Sequence, residues 1–240
     1  MIPITFLGTG DYLASERYWN AFVIDRRLLV EPSPTALPHL RHCGLSAADL
    51  DVVVLSHFHP DHCFGWPFLL LELVRTAPRQ PLFVVGPPGV ERFFADLMTL
   101  SGTANLVEAA RARLDLRFVE TDGAWQTAGS LRFRAVEVDH VPHLACFGFL
   151  FEVGGRTIGY SGDCKPCPGL DVLADQSEVL VLECNGPHPP PAVHMDVDDV
   201  VELRRRFPAV RLVLTHLGAG VSVTGVPDCV LAEDFQTLDL

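Results

Sequence analysis

The sequence predicts a layered α/β fold in which two sheets stack face to face and carry helices on their outer sides. Short apolar runs typical of buried strands recur along the chain between amphipathic segments typical of helices. Predicted strands outnumber predicted helices, and the helices fall between strand pairs, an order that favours two stacked sheets. This pattern leaves a doubly wound α/β sheet as an alternative.

The first half of the chain is predicted to alternate strands with helices. Ser33 is a plausible N-cap for the first helix, and the turn residues Gly86-Pro87-Pro88-Gly89 end a strand. The predicted strands cover residues 4–7, 21–24, 28–30, 52–55, 82–85 and 116–120. The predicted helices cover residues 34–43, 66–75, 90–100 and 105–113.

The second half is predicted to be richer in strands. Residues 131–138 alternate apolar with charged side chains, the period of a half-exposed strand. Residues 147–153 and 157–160 are predicted to form a hairpin around Gly154-Gly155. Buried strands at 179–182 and 210–214 flank an amphipathic helix at 196–207. Residues 229–232 and 237–240 are predicted to form a closing hairpin around Glu233-Asp234.

The run Ser56-His57-Phe58-His59-Pro60-Asp61-His62 is the most informative motif, because it places four metal-binding side chains directly after a buried strand. Imidazole and carboxylate ligands suit zinc, manganese or iron. We expect His57 and His59 to face one ion, and Asp61 and His62 to face a second ion beside it.

Three further predicted strands end in a potential metal ligand. They are followed by Asp139-His140, by Ser161-Gly162-Asp163 and by Thr215-His216. Because ligands in layered folds collect where several strand ends meet, we expect these residues to lie near the histidine run.

These motifs resemble the metallo-β-lactamase-fold hydrolases, in particular the ribonuclease Z-like branch, which includes small phosphodiesterases. The resemblance runs nearly end to end, from Leu7-Gly8-Thr9-Gly10 to Leu214-Thr215-His216-Leu217-Gly218. It implies one domain over residues 1–240 with a four-layer αββα sandwich and two metal ions at the sheet edge.

Carried over residue by residue, the resemblance also implies a ligand set. The first ion would be held by His57, His59 and His140. The second would be held by Asp61, His62 and His216, and Asp163 would bridge both. Glu183 and His194 would assist the chemistry together with Asp61. His143 is an alternative to His140, since Gly148 lies further from His140 than the branch usually places its glycine.

The implied reaction is hydrolysis of a small phosphodiester by a hydroxide that bridges two divalent ions, with zinc favoured over manganese or iron. Two adjacent ions lower the pKa of a shared water towards about 7. Hydrolysis of a carboxylic ester, lactone or thioester on the same centre is an alternative. Oxidation by a single iron, as in a persulfide oxygenase, is a further alternative.

Charge and composition set expectations about partners and location. The net charge of −12 argues against tight binding of long nucleic acid, and the 23-residue interval from His140 to Asp163 is too short for the basic arm of true ribonuclease Z. We therefore expect a small anionic substrate and no long nucleic acid. By analogy with the family, a homodimer is one expectation for the oligomeric state.

We also expect a cytoplasmic protein with no membrane association, since no apolar run approaches the roughly 20 residues of a membrane span. The seven cysteines form no evident disulfide framework. Cys164 and Cys167 are a lone CxxC pair, open to a redox role, half a zinc site or a purely structural role.

Overall fold

The computed structural model describes residues 1–77, 80–186, 192–223 and 226–240. The strands in these ranges are β1 (Pro3–Gly8), β2 (Ala21–Ile24), β3 (Leu28–Val30), β4 (Val52–Val54), β5 (Leu82–Gly86), β6 (Leu116–Glu120), β7 (Trp125–Ala128), β8 (Leu131–Glu137), β9 (Phe147–Val153), β10 (Arg156–Tyr160), β11 (Val179–Glu183), β12 (Arg211–Thr215), β13 (Cys229–Leu231) and β14 (Thr237–Asp239). The helices are α1 (Ala36–His42), α2 (Pro60–Cys63), α3 (Trp66–Thr76), α4 (Val90–Leu100), α5 (Ala104–Arg113), α6 (Pro168–Gln176) and α7 (Val197–Arg206).

The strands form two mixed sheets. The first has the order β14-β1-β2-β3-β4-β5-β6, and the second has the order β13-β12-β11-β10-β9-β8-β7. In the first sheet the neighbours from β3 to β6 are parallel. In the second sheet the neighbours from β10 to β13 are parallel. The remaining pairs are antiparallel. Each sheet therefore combines a part with antiparallel strands and a part with parallel strands.

Three apolar layers hold these sheets and helices together. The central layer lies between the sheets and includes Phe6 and Phe22 from the first sheet and Phe133 and Phe149 from the second. A second layer packs the first sheet against α1, α3 and α4, and a third packs the second sheet against α6 and α7. The order is therefore helix, sheet, sheet, helix. This confirms the predicted layered sandwich and excludes a single doubly wound sheet.

The strand period explains why β4 is apolar throughout. Val53 points into the layer beneath the helices, whereas Val52 and Val54 point into the layer between the sheets. A strand buried on both faces reads as a continuous apolar run. Such a strand is rigid, and the residues that follow its carboxyl end are held firmly in place.

The predicted closing hairpin is wrong. β13 pairs in parallel with β12 of the second sheet, whereas β14 pairs antiparallel with β1 of the first. The turn between them carries the chain from one sheet to the other, and Phe235 N donates to Phe6 O at 2.8 Å. Strands adjacent in sequence usually pair, but these have only three residues each and carry too little pattern to reveal the crossing.

Helix α6 and strand β7 were not predicted. In α6 the buried residues Leu170, Leu173 and Ala174 have helical spacing, but Pro168-Gly169 resembles a turn. Gly169 is required there, because a Cβ at this position would lie 2.0 Å from Glu137 O. None of the described helices has the length and apolar character needed to cross a membrane.

Candidate metal centre

The histidine run leaves the carboxyl end of β4 and turns at once into the short helix α2. Pro60 occupies the first turn of that helix, where its missing N–H costs nothing. His62 N donates to His59 O at 3.1 Å. The turn places Asp61 and His62 beside the two preceding histidines rather than along an extended strand.

Three histidines form the first cluster. His57 Nε2 lies 2.9 Å from His59 Nδ1, and His140 Nε2 lies 3.3 Å from the same His59 atom. The Nδ1 atom of His140 donates to Val193 O at 2.8 Å, which leaves the lone pair of its Nε2 facing the other two rings. His57 Nδ1 lies 2.8 Å from Ser56 Oγ and is fixed from behind in the same way.

The second cluster consists of Asp61, His62 and His216. Asp61 Oδ2 lies 3.4 Å from His62 Nε2 and 3.6 Å from His216 Nε2. His216 directly follows β12 and has a φ of +50°, a left-handed conformation that is rare for residues other than glycine. Strain of this kind concentrates at functional sites, where the surrounding structure holds it in place.

Asp163 lies between the two clusters. Its Oδ2 atom is 3.8 Å from His57 Nε2, 3.2 Å from His62 Nε2 and 3.4 Å from His216 Nε2. Gly162, with a φ of +59°, precedes it, and a Cβ there would lie 2.5 Å from Phe147 O. Only glycine allows the strand end to turn so closely and deliver Asp163 to this position.

The clusters fit divalent metal ions. The ligand atoms of each set lie within 4.8 Å of one another. Among the described residues, Asp163 Oδ1, His62 Nε2 and His216 Nε2 are buried atoms without a hydrogen-bond partner. Such buried atoms normally have a partner, and coordination of an ion would supply one. Imidazole and carboxylate donors suit zinc and related metals.

Burial keeps two histidines of the first cluster neutral, as metal binding requires. Burial holds the pKa of His57 well below its usual range and lowers that of His140 to about 4. Both rings are therefore neutral at pH 7, the form in which imidazole binds a metal. Burial raises the pKa of Asp163, but the nearby charges of His216 and His62 outweigh it and hold the carboxyl ionised. In the metal-free protein the Asp163 carboxylate outweighs burial at His62 and His216 and raises the pKa of both rings, so a bound ion would displace their protons.

Glu183 and His194 form a hydrogen-bonded pair beside the clusters. His194 Nδ1 donates to Glu183 Oε1 at 2.9 Å, and the same oxygen accepts from Cys164 N at 2.6 Å. The His194 ring lies 4.7 Å from the His140 ring and 5.4 Å from the His216 ring, centroid to centroid. The strand end of β11 and the residues before α7 thus bring a buried carboxylate and a histidine to the centre.

The structure brings together all of the sequence-predicted metal ligands and both assisting residues. His143, the alternative third ligand, is exposed and belongs to neither cluster. The described clusters contain no cysteine. All seven thiols are free, and Cys164, the residue after Asp163, is fully buried.

Sequence reasoning missed Glu31, which lies behind the second cluster. Its side chain is fully buried, and its Oε1 lies 3.6 Å from His62 Nδ1. It also accepts from Ser56 N at 3.3 Å. Glu31 directly follows the buried strand β3, just as Glu183 is the last residue of the buried strand β11. A charged residue at the end of a buried strand was therefore the sequence signal that could have revealed Glu31.

A cavity of about 560 Å³ opens beside the clusters. His59, Asp61, His140, Asp163 and His194 line one part of it, and mostly apolar residues line the rest. This volume falls in the range of small-molecule sites. A reacting group in this cavity would contact the metal clusters and His194 together.

Comparison with known proteins gives consistent relationships. The family model described as "Beta-lactamase superfamily domain" matches residues 26–217. The ribonuclease Z of Mycobacterium marinum is 31% identical over 194 residues, covering 75% of this chain and 70% of the relative. Human tRNase Z, short form, superposes with a TM-score of 0.78 at 24% identity, covering 99% of this chain and 98% of that one. A diphosphatase from the PhnP family superposes with a TM-score of 0.78 at 17% identity, covering 100% and 98%.

These relationships overturn the expectation that long nucleic acid is not a partner. The matching relatives include proteins named ribonuclease Z, and the human structural neighbour is named a tRNase Z. The expectation failed because a net charge of −12 is an average over the whole surface, whereas binding depends on the local potential. Two divalent ions would offset about four negative charges at the site itself.

Proposed function

We propose that this chain, which belongs to the beta-lactamase superfamily and is a metal-dependent hydrolase, cleaves phosphodiester bonds at a centre that holds two divalent ions. The observation that carries the proposal is the position of Asp163. Its Oδ2 atom lies within 3.2 to 3.8 Å of ring nitrogens from both clusters. Because one carboxylate lies beside both three-residue clusters, a centre in which Asp163 would serve two ions fits this geometry better than two independent metal sites.

We assign His57, His59 and His140 to the first ion and Asp61, His62 and His216 to the second. Zinc is the proposed metal, because the proposed donor set is five imidazoles and two carboxylates with no thiolate. When bound, two such ions supply a water that is activated near neutral pH and polarise the phosphoryl oxygens.

The protein side chains then position the reactants and move the proton. Asp61 orients the attacking water by accepting a hydrogen bond from it. His194, held through Nδ1 by Glu183, delivers the proton from Nε2 to the leaving oxygen. The 2.9 Å hydrogen bond to Glu183 fixes the ring orientation that this transfer requires.

The proposed substrates are phosphodiesters of the nucleotide type, either small molecules or RNA. The relatives named ribonuclease Z support RNA. The cavity of about 560 Å³ supports a small-molecule substrate, because it can hold a nucleotide-sized group beside the metal clusters. We place the reaction in the cytoplasm, because all seven cysteines are free and a reducing compartment maintains free thiols.

The test combines elemental analysis of protein purified without added metal with turnover of bis(p-nitrophenyl) phosphate by the same sample. We expect about two zinc ions per chain together with turnover, and we expect Asp163→Ala to lose both. A cyclic nucleotide and a tRNA then serve as substrates for the same preparation. About one iron per chain without diester turnover would overturn the proposal.

A further inference from the structure

The cavity beside the metal centre has two chemically different sides. The side formed by the clusters and His194 is polar. The other side consists of Tyr12, Trp19, Pro34, Pro60, Val141 and Val193. Among the described lining residues there is no lysine and no arginine. With divalent ions held by the clusters, the polar side would carry the positive charge of the cavity. The cavity would then suit a molecule that is anionic at one end and apolar at the other.

Two flat rings stand out on the apolar side. Tyr12 is 58% exposed, and Trp19 is half-buried. Within the described part of the chain neither ring packs against another aromatic ring, whereas the neighbouring Tyr18 packs against His39 and Phe235. Tyr18 thus packs within the protein, whereas Tyr12 and Trp19 are, apart from histidines, the two aromatic residues among the described residues that line the cavity.

The loop that carries these rings is anchored close to a metal ligand. Asp11 N donates to Leu217 O at 3.2 Å, and Leu217 directly follows His216. At the other end of the loop, Gly10 N donates to Tyr18 O at 2.7 Å. The Asp11 carboxylate accepts from Leu13 N at 3.0 Å and shapes the turn that presents Tyr12. These bonds couple the position of the rings to the position of the metal centre.

We propose that Tyr12 and Trp19 form a stacking subsite for the nucleobase of a nucleotide whose phosphate lies at the metal centre. The assignment rests on the proposed phosphodiesterase function and names the residues that would recognise the base of its substrate. Stacking of a base on an aromatic side chain contributes about 1 to 3 kcal/mol by alanine substitution. It depends on the flat face that all bases share, so the subsite selects nucleotides over sugar phosphates and alkyl phosphates with little preference among bases.

The test compares the binding of AMP and ribose 5-phosphate to the metal-loaded protein by isothermal titration calorimetry. The two ligands share the sugar phosphate and differ only in the base. We expect AMP to bind about 5- to 150-fold more tightly than ribose 5-phosphate, the range that corresponds to the stacking energy. Tyr12→Ala should remove most of this ratio while leaving the affinity for ribose 5-phosphate unchanged.

Two matched controls test whether the aromatic ring of Tyr12 is responsible for the ratio of the two affinities. Tyr12→Phe keeps a flat face and should keep the ratio. Leu13→Ala alters the next residue, which is 71% exposed and lies outside the cavity lining, and should also keep it. Equal affinities for the two ligands in the wild type, or an undiminished ratio in both Tyr12→Ala and Trp19→Leu, would overturn the subsite.

Failure of the stacking subsite can be distinguished from failure of the proposed phosphodiesterase function. Methyl p-nitrophenyl phosphate lacks a base, and its turnover reports the metal chemistry. If the wild type fails to hydrolyse it, the phosphodiesterase assignment fails even where the AMP ratio stands. If the wild type hydrolyses it but shows no AMP preference, only the stacking subsite fails.

Discussion

His194 donates a hydrogen bond from Nδ1 to Oε1 of Glu183 across 2.9 Å, in a setting where the carboxylate is fully buried. The pair joins the segment that precedes α7 to Glu183 at the carboxyl end of β11. Asp196 fixes the start of α7, because its side chain accepts from Asp199 N while its own N–H donates to the Asp199 carboxylate. Glu183 and the capped start of α7 thus together fix the position of His194.

The first prediction concerns His194 itself. Replacement by alanine should reduce kcat for an unactivated diester by about 10²- to 10⁴-fold, the usual contribution of a positioned general acid. Both ions should remain bound, since the six proposed terminal ligands and Asp163 are untouched. Elemental analysis and turnover on one preparation check this, and full activity in His194→Ala would show that the ring takes no part in proton transfer.

The second prediction concerns pH. Burial lowers the pKa of His194, but the charge and hydrogen bond of Glu183 outweigh it and raise the pKa to about 9 in the metal-free protein. The ring must be protonated to act as an acid, so activity is present below this pKa and is lost as pH rises through it. Glu183→Gln removes the negative charge and should move the alkaline limb of the kcat profile to lower pH.

The control for the Glu183 variant is the His194→Ala protein, whose residual activity should lack this limb. An alkaline limb that stays in place in Glu183→Gln would show that the carboxylate does not set the proton affinity of the ring.

Much of this centre was predictable because its signals are local in sequence. Four of the proposed ligands lie within the six residues from His57 to His62, and each of the others lies no more than three residues beyond the end of a strand. Each of these strands was recognised by an apolar run or by alternation of apolar and polar residues. Local spacing and strand ends thus predicted that these residues lie close together, whereas the assignment of each to an ion came from the family resemblance.

The features that were missed depend on contacts between distant segments. Glu31 meets His62 across 31 positions of sequence, and no local pattern reports such a contact. The separation of β13 and β14 into different sheets depends on the edges of the two sheets lying side by side. The error about nucleic acid had another cause, since a whole-chain charge was taken to describe one site.

The third prediction separates His140 from His143. His140 Nε2 lies 3.3 Å from His59 Nδ1, whereas His143 is exposed and outside both clusters. His140→Ala should therefore lose the first ion and most of the turnover. His143→Ala, three residues away on the same loop, should keep two ions and near wild-type kcat. Loss of metal in His143→Ala instead would assign the third ligand to that residue.

The fourth prediction concerns Glu31, which stands behind the second cluster. Its Oε1 lies 3.6 Å from His62 Nδ1, and its carboxylate accepts from Ser56 N at the start of the histidine run. Groups that orient a metal-binding histidine typically change metal affinity by about 10- to 100-fold when removed. Glu31→Gln should therefore weaken the second ion by this factor and leave the first ion bound.

Zinc titration of the chelator-treated protein, followed by calorimetry, resolves the two affinities. Glu178→Gln is a matched control, because it makes the same chemical change at an exposed carboxylate that pairs with Arg156 far from the clusters. Because an ion that binds only the folded state raises the melting temperature, the zinc-dependent rise in Tm should also be smaller in Glu31→Gln than in the control. Equal weakening of both ions would instead indicate that Glu31 supports the histidine loop as a whole, through Ser56, rather than His62 alone.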